Sequence, residues 1–331
     1  MKWIAIGVKV GITGLLVWLL LKHVDFAAAG ALLRSERGVT ALALAIAVLM
    51  AQALVAAVRM NWVMRLLGTR CPIGRSFAVW MIGLVVSQTL LTFIAGDAAR
   101  VWQFVQRGYS RRVASSAIVL ERALGLVVLL AMVLACEPFL LDRTSPGAVR
   151  TGLVVLGASC AVGIVAFTGS AFLGELRGLL PERLRDHRLV GIALDIASVA
   201  RHLARSWKLA AAVIVSSVLM HMGNVLAIFI LARAAGVGID FMATTAVALP
   251  AMLIALMPIA LAGWGVREGS MIVGYGLFGV APAAALATSI AFGLAMLISG
   301  LPGGFFIRFA KPERAAVPIW PQASTARGTP V

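Results

Sequence analysis

Ala95-Gly96-Asp97-Ala98-Ala99-Arg100 and Ala262-Gly263-Trp264-Gly265-Val266-Arg267, the second followed at once by Glu268, share one pattern, Ala-Gly-x-x-x-Arg. Each copy follows a long apolar run, and each puts an arginine where hydrocarbon side chains would otherwise continue. A charge at membrane depth costs about 2.5–3.5 kcal/mol on insertion scales and marks function by default. The pair predicts two halves of one site in an internally repeated membrane protein.

Composition points the same way. Of 331 residues, 61% are hydrophobic and 13% charged, where soluble domains carry about 25% charge. Such a chain cannot cover a water-facing surface, so most of its surface faces lipid. The formal net charge is +16. The basic residues lie between apolar runs, so this charge reads as membrane topology and contact with anionic lipid headgroups, not as nucleic-acid binding. Cys71, Cys136 and Cys160 are scattered without metal spacing or a disulfide framework, and no cofactor is expected.

A transmembrane helix needs about 20 apolar residues. Candidate spans cover residues 3–21, read as a retained first helix, then 39–58, 113–136, 152–172, 209–232 and 283–307. Residues 77–95 are different. Basic loops flank them on both sides (Arg59 to Arg75, and Arg100 to Arg112), so a single crossing would break the positive-inside tendency. A re-entrant hairpin of two short legs, turning at Ser87-Gln88-Thr89, keeps both loops cytoplasmic. Residues 241–262 carry Pro250 and Pro258, which suits a kinked or broken helix. In residues 175–208, Leu189, Ile192, Ile196, Val199, Leu203 and Trp207 recur at helical spacing. That segment is either an amphipathic helix on the cytoplasmic interface or one packed on the bundle's own loops. Residues 311–331, rich in Pro, Ser, Thr and Ala, are expected to be a disordered cytoplasmic tail.

Three anchors recur in order. Arg65-Leu66-Leu67-Gly68 pairs with Arg233-Ala234-Ala235-Gly236, the two Ala-Gly-x-x-x-Arg stretches follow, and Gly108-Tyr109 pairs with Gly279-Val280. The expected fold is an all-α integral membrane protein, a polytopic bundle of about six to eight spans. Residues 1–310 form one membrane domain with halves at 1–136 and 152–310. Three spans and one hairpin per half invert the second copy, the architecture of alternating-access transporters.

Several stretches resemble a known family. Arg59-x-x-Trp62, Ala95 to Arg100, Glu121-Arg122-Ala123-Leu124-Gly125-Leu126, Pro258 to Glu268, and Leu301-Pro302-Gly303-Gly304 resemble the flippase-like membrane region of bacterial lysylphosphatidylglycerol synthases and its stand-alone relatives. The first copy departs from the family pattern, reading Thr92-Phe93-Ile94 where proline and a further glycine are common. The resemblance implies movement of a phospholipid or lipid-linked group across the bacterial cytoplasmic membrane, with both termini cytoplasmic. It stops short of the synthases' aminoacyl-transfer domain, so lipid aminoacylation is not expected.

Arg100 and Arg267 lead the candidate substrate-binding residues, because a guanidinium fork matches phosphate oxygens in pairs. Gly96 and Gly263 would let backbone approach a headgroup, and a helix starting just after either would offer free N–H groups to an anion. Asp97 and Glu268 either release the arginines to a phosphate or neutralise them structurally. Trp264 is an interfacial anchor or stacks on a headgroup. The alternative for both arginines is snorkelling to the interface. Glu121 and Arg122 lie within a span, and partners such as Arg267 or Asp97 are expected for them. His221 and Asn224 share a helix face, and the histidine reads as an interhelical hydrogen bonder. Without a Walker A motif, ATP hydrolysis does not drive movement. An enzyme acting on lipid phosphate or lipid-linked glycan, or a non-catalytic scaffold, are the other classes considered.

Overall fold

The computed structural model describes residues 27–89, 93–173, 207–257 and 265–308, with residues 197 and 201 besides. The helices among them are α1 (Ala27–Arg34), α2 (Glu36–Leu66), α3 (Ile73–Thr89), α4 (Phe93–Gln106), α5 (Arg111–Leu141), α6 (Ala148–Leu173), α7 (Trp207–Ala234), α8 (Phe241–Ala255), α9 (Val266–Gly276), α10 (Pro282–Gly300) and α11 (Gly303–Arg308). The described residues contain no strand. Among the described residues, five stretches are long and apolar enough to cross a membrane: Glu36–Leu66, Arg111–Leu141, Ala148–Gly169, Trp207–Ala234 and Pro282–Ile307. The protein is a multi-pass, all-helical membrane protein.

Local chemistry sets the helix ends. Ser35 caps α2 by accepting from the Gly38 N–H at 3.0 Å, and Ser110 caps α5 by accepting from the Val113 N–H at 3.2 Å. Asp240 caps α8 through the Ala243 N–H at 2.6 Å. These bonds satisfy donors that have no partner inside the helix. Four helices, α2, α4, α7 and α9, run into turns at Gly68, Gly108, Gly236 and Gly279, whose φ angles are 74°, 84°, 79° and 71°. At each turn the next residue's N–H reaches back five positions: Thr69 to Met64, Tyr109 to Phe104, Val237 to Ala232 and Val280 to Tyr275. Left-handed backbone of this kind is costly for any residue with a Cβ.

These turns frame two runs of the same order. In each, a long helix (α2, α7) leads through a glycine turn into two shorter helices packed on each other (α3 with α4, α8 with α9), and a second glycine turn leads into another long helix (α5, α10). In the first pair, Gly83 and Gly96 face each other across the legs, and a Cβ on Gly96 would collide with Ser87 Oγ and the Gly83 carbonyl. In the second, a Cβ on Gly274 would sit 2.6 Å from a Val247 methyl.

Helix α2 is the centre, packing most extensively on α7 and also on α3, α5 and α10. Its inner face is made of small residues, including Ala41, Ala45, Ala53, Ala56 and Ala57. Lipid tails are as apolar as leucine, so close backbone approach and polar contacts, not hydrophobic burial, favour such packing. Helix α6 lies at the edge on α5, with only 11% of its apolar window covered by protein.

Three expectations change. The hairpin placed at 77–95 extends over α3 and α4, from Ile73 to Gln106; Ser87-Gln88-Thr89, expected at its turn, are the last residues of α3, and Ala-Gly-x-x-x-Arg lies within the second leg, not beyond it. Gly96 serves helix–helix contact there, with Ser87 and the Gly83 carbonyl where a headgroup was expected to approach. Of the two prolines, Pro250 lies inside α8 without ending it, and the helix ends at Ala255, ahead of Pro258. A mid-helix proline costs about 3 kcal/mol, but every residue from Ala243 to Ala251 is buried, so packing holds the helix together. The first expected span, nearly all of 175–206, the tail at 311–331, and Pro258 to Trp264 lie outside the described residues.

Candidate functional site

Helix α2 continues past its apolar run. Met60, Val63, Met64 and Leu67 keep the helical spacing after Val58, and Arg59 therefore sits inside the helix with 5% of its surface exposed. Helix α4 brings Arg100 to the same depth, also 5% exposed, and α5 brings Glu121 between the two. One Glu121 oxygen accepts from Arg59 Nη2 at 3.0 Å, and the other accepts from Arg100 Nη2. One carboxylate thus ties three helices together. Arg59 Nη1 also donates to Ser217 Oγ on α7 at 3.2 Å. The Arg100 guanidinium lies 4.6 Å above the ring centre of Trp80 on α3, a contact worth about 2 kcal/mol when dry. The Nε atoms of both Arg59 and Arg100 are buried without a hydrogen-bond partner among the described residues.

Asp97, one turn before Arg100, is 3.6 Å from it and accepts a two-pronged pair from Arg122, Nε at 2.9 Å and Nη2 at 3.0 Å. Arg122 has 43% of its side chain exposed, so this pair sits at the mouth of the cluster. These five charged residues line a cavity of about 230 Å³ together with Gln52, Trp80, Ser87, Gln88 and Asn224. Three arginines against two carboxylates leave its lining with one excess positive charge.

The second hairpin builds a smaller site. Helix α9 opens on Gly265, at φ 85°. Glu268 accepts from the Gly265 N–H at 2.6 Å, from Arg267 Nη2 at 2.6 Å and from Ser289 Oγ on α10 at 3.0 Å. Arg267 Nε donates to Ser289 Oγ at 3.1 Å, and its guanidinium faces the Phe292 ring at 5.5 Å. Arg267 lines a cavity of about 150 Å³ with Phe292 and Met252. Ser87, Gln88, Asn224 and Met296 line both cavities, so the two adjoin at the C-terminal end of α3.

The structure gathers Arg100, Asp97, Glu121 and Arg122 in one cluster and Arg267 with Glu268 in the other. Snorkelling does not describe either arginine, because protein side chains surround both heads. Glu121 does not pair with Arg267; its partners are Arg59 and Arg100, while Arg122 takes Asp97 as expected. Only the second copy has a helix starting just after its Ala-Gly: α9 begins at Val266 with Gly265 as its N-cap, whereas α4 begins at Phe93, before Gly96; at α9 Glu268 already occupies the Gly265 N–H. Asn224 faces both cavities, whereas His221 turns to α5, its Nε2 lying 3.0 Å from the Gly125 carbonyl oxygen. Gly263 and Trp264 lie outside the described residues.

Sequence reading missed Arg59, Trp80 and Ser289. Arg59 was counted as the basic end of a span, although the apolar spacing running on to Leu67 marks it as internal. Nothing in the sequence distinguishes Trp80 or Ser289 from other helix residues. At the loop end of the first hairpin, Arg107 is also buried, bonded to Gln103. Tyr109 donates to the Arg70 carbonyl at 2.7 Å, and burial pushes its phenol well above its ordinary range.

Residues 4–304 match the family model described as lysylphosphatidylglycerol synthase TM region. No curated protein and no solved structure matches the chain.

Proposed function

From its place in the family of lysylphosphatidylglycerol synthase transmembrane regions, to which the chain belongs, we propose that it moves a phospholipid or lipid-linked headgroup between the leaflets of the bacterial cytoplasmic membrane. The observation that carries this reading is the pair of adjoining cavities, each with a buried arginine and with the C-terminal end of α3 between them. A phosphate can be held by a guanidinium fork in either cavity, while acyl chains remain in lipid.

On this reading the hairpins α3–α4 and α8–α9 are re-entrant and enter from opposite faces, and the two halves form an inverted repeat. Both termini are cytoplasmic, and basic residues at the loop ends contact anionic headgroups. The chain is a transporter, not an enzyme. In its favour, Glu121, Asp97 and Glu268 are each engaged by arginine, so none stands ready as a base. Movement is passive, ion-coupled or drawn by consumption of the lipid on the far side.

The test is reconstitution of the full chain into liposomes carrying headgroup-labelled phospholipid, followed by chemical quenching of the outer leaflet. Wild type quenches the inner-leaflet pool far faster than empty liposomes do, and Arg100→Ala and Arg267→Ala lose that excess. Wild type indistinguishable from empty liposomes with every phospholipid class counts against the reading. Cysteine labelling at position 110 from the outside only would remove the re-entrant arrangement.

A further inference from the structure

The two arginine sites hold their carboxylates differently. Glu268 has 3% of its side chain exposed and is fixed by a backbone N–H, an arginine and a serine hydroxyl. Asp97 has 25% exposed and is held by arginines, Arg122 in two-pronged contact and Arg100 at 3.6 Å. The position in the second motif that matches Asp97 is Trp264, so the second half has no carboxylate in that place.

Asp97 presents two coplanar oxygens to the Nε and Nη2 of Arg122 at 2.9 and 3.0 Å. That is the geometry in which an arginine binds two oxygens of a phosphate. Exposed ion pairs of this kind contribute little net stability, so a ligand anion can exchange with the carboxylate. Behind Asp97, the buried Nε atoms of Arg59 and Arg100 lack partners among the described residues, and the cavity lining carries three arginines to two carboxylates. Swinging Asp97 away opens the Arg100 face and gives its two contacts with Arg122 to the incoming group.

We propose that Asp97 is a resident stand-in for the ligand: its carboxylate occupies the oxyanion position of the first cavity and is displaced by a phosphodiester headgroup. This rests on the reading of that cavity as a phosphate-headgroup site. Asp97 sets affinity by competing for Arg122 and Arg100, and it keeps the empty site from trapping small anions.

The sign of one substitution decides the matter. In full-length protein in detergent, binding of dioctanoyl phosphatidylglycerol and of inorganic phosphate is measured by titration calorimetry. Asp97→Asn keeps the shape and removes the competing charge, and it binds the lipid about three- to fivefold more tightly than wild type, the size an exposed ion pair allows. Arg122→Gln binds it more weakly than wild type, and its Asp97→Asn double variant gains less than the single one. Asp97→Ser gives the same tightening if the asparagine variant does not fold. Tightening for inorganic phosphate alone would make the ligand a free anion and overturn the headgroup assignment. Equal or weaker lipid binding by both Asp97 variants overturns the stand-in role while leaving the phosphate site intact. Absence of binding by wild type and variants alike overturns the phosphate reading itself and this inference with it.

Discussion

The two hairpins carry the same arginine in differently built sites. Arg100 is held by Glu121 on another helix, and that carboxylate is shared with Arg59 on a third. Arg267 is held by its own neighbour in sequence and by Ser289 on α10. The first site is therefore an assembly of α2, α4 and α5 that shifts whenever those helices move relative to one another. The second pairs two residues adjacent in sequence on α9 and ties them to α10 through Ser289.

The largest expected effect follows from that sharing. Glu121→Gln leaves Arg59 and Arg100 facing each other with no anion between them. Breaking a buried ion pair costs about 3–5 kcal/mol, so thermal unfolding in detergent should fall steeply. Glu268→Gln should cost less, because it takes the carboxylate from one buried arginine and not from two; its single amide oxygen accepts either from Gly265 or from Arg267 and Ser289. Equal losses in the two variants would mean that the sites are not built differently.

Next comes the contact between the hairpin legs. Gly96→Val puts a branched side chain into Ser87 and the Gly83 carbonyl. Overpacking of this kind costs about 1–3 kcal/mol, and the variant should lose lipid movement in liposomes while Gly269→Val, at a glycine with open space around its Cα, loses little. The smallest effect is expected from Trp80→Leu, which removes the ring beneath Arg100 but no charge partner. A drop of about two- to thirtyfold in ligand affinity matches a cation–π contact of about 0.5–2 kcal/mol, and no change would show that Glu121 alone orients Arg100.

The comparison also shows what the sequence discloses. The all-helical membrane fold follows from apolar run lengths, and the glycine turns at Gly68, Gly108, Gly236 and Gly279 were visible as repeated anchors. The arginine pair was visible because a charge in an apolar run is an anomaly. Partner assignments were not. Glu121 and Arg122 sit side by side in sequence, yet they face different directions and take partners from different helices, because a helix turns about 100° per residue. Arg59 was hidden by counting apolar residues up to the first charge, a rule that stops a helix where lipid would stop it, not where its packing against other helices does. Trp80 and Ser289 act only through three-dimensional proximity, so nothing local marks them.

The most direct test of the central claim, that the two arginine cavities form one path, is the initial rate of labelled-phospholipid movement in liposomes for wild type, Arg100→Ala, Arg267→Ala and the double variant. Two stations in series predict that each single variant loses at least about tenfold, and that the double variant is no slower than the slower single one. Wild-type rates in either single variant, or losses that multiply in the double variant, would contradict a single path.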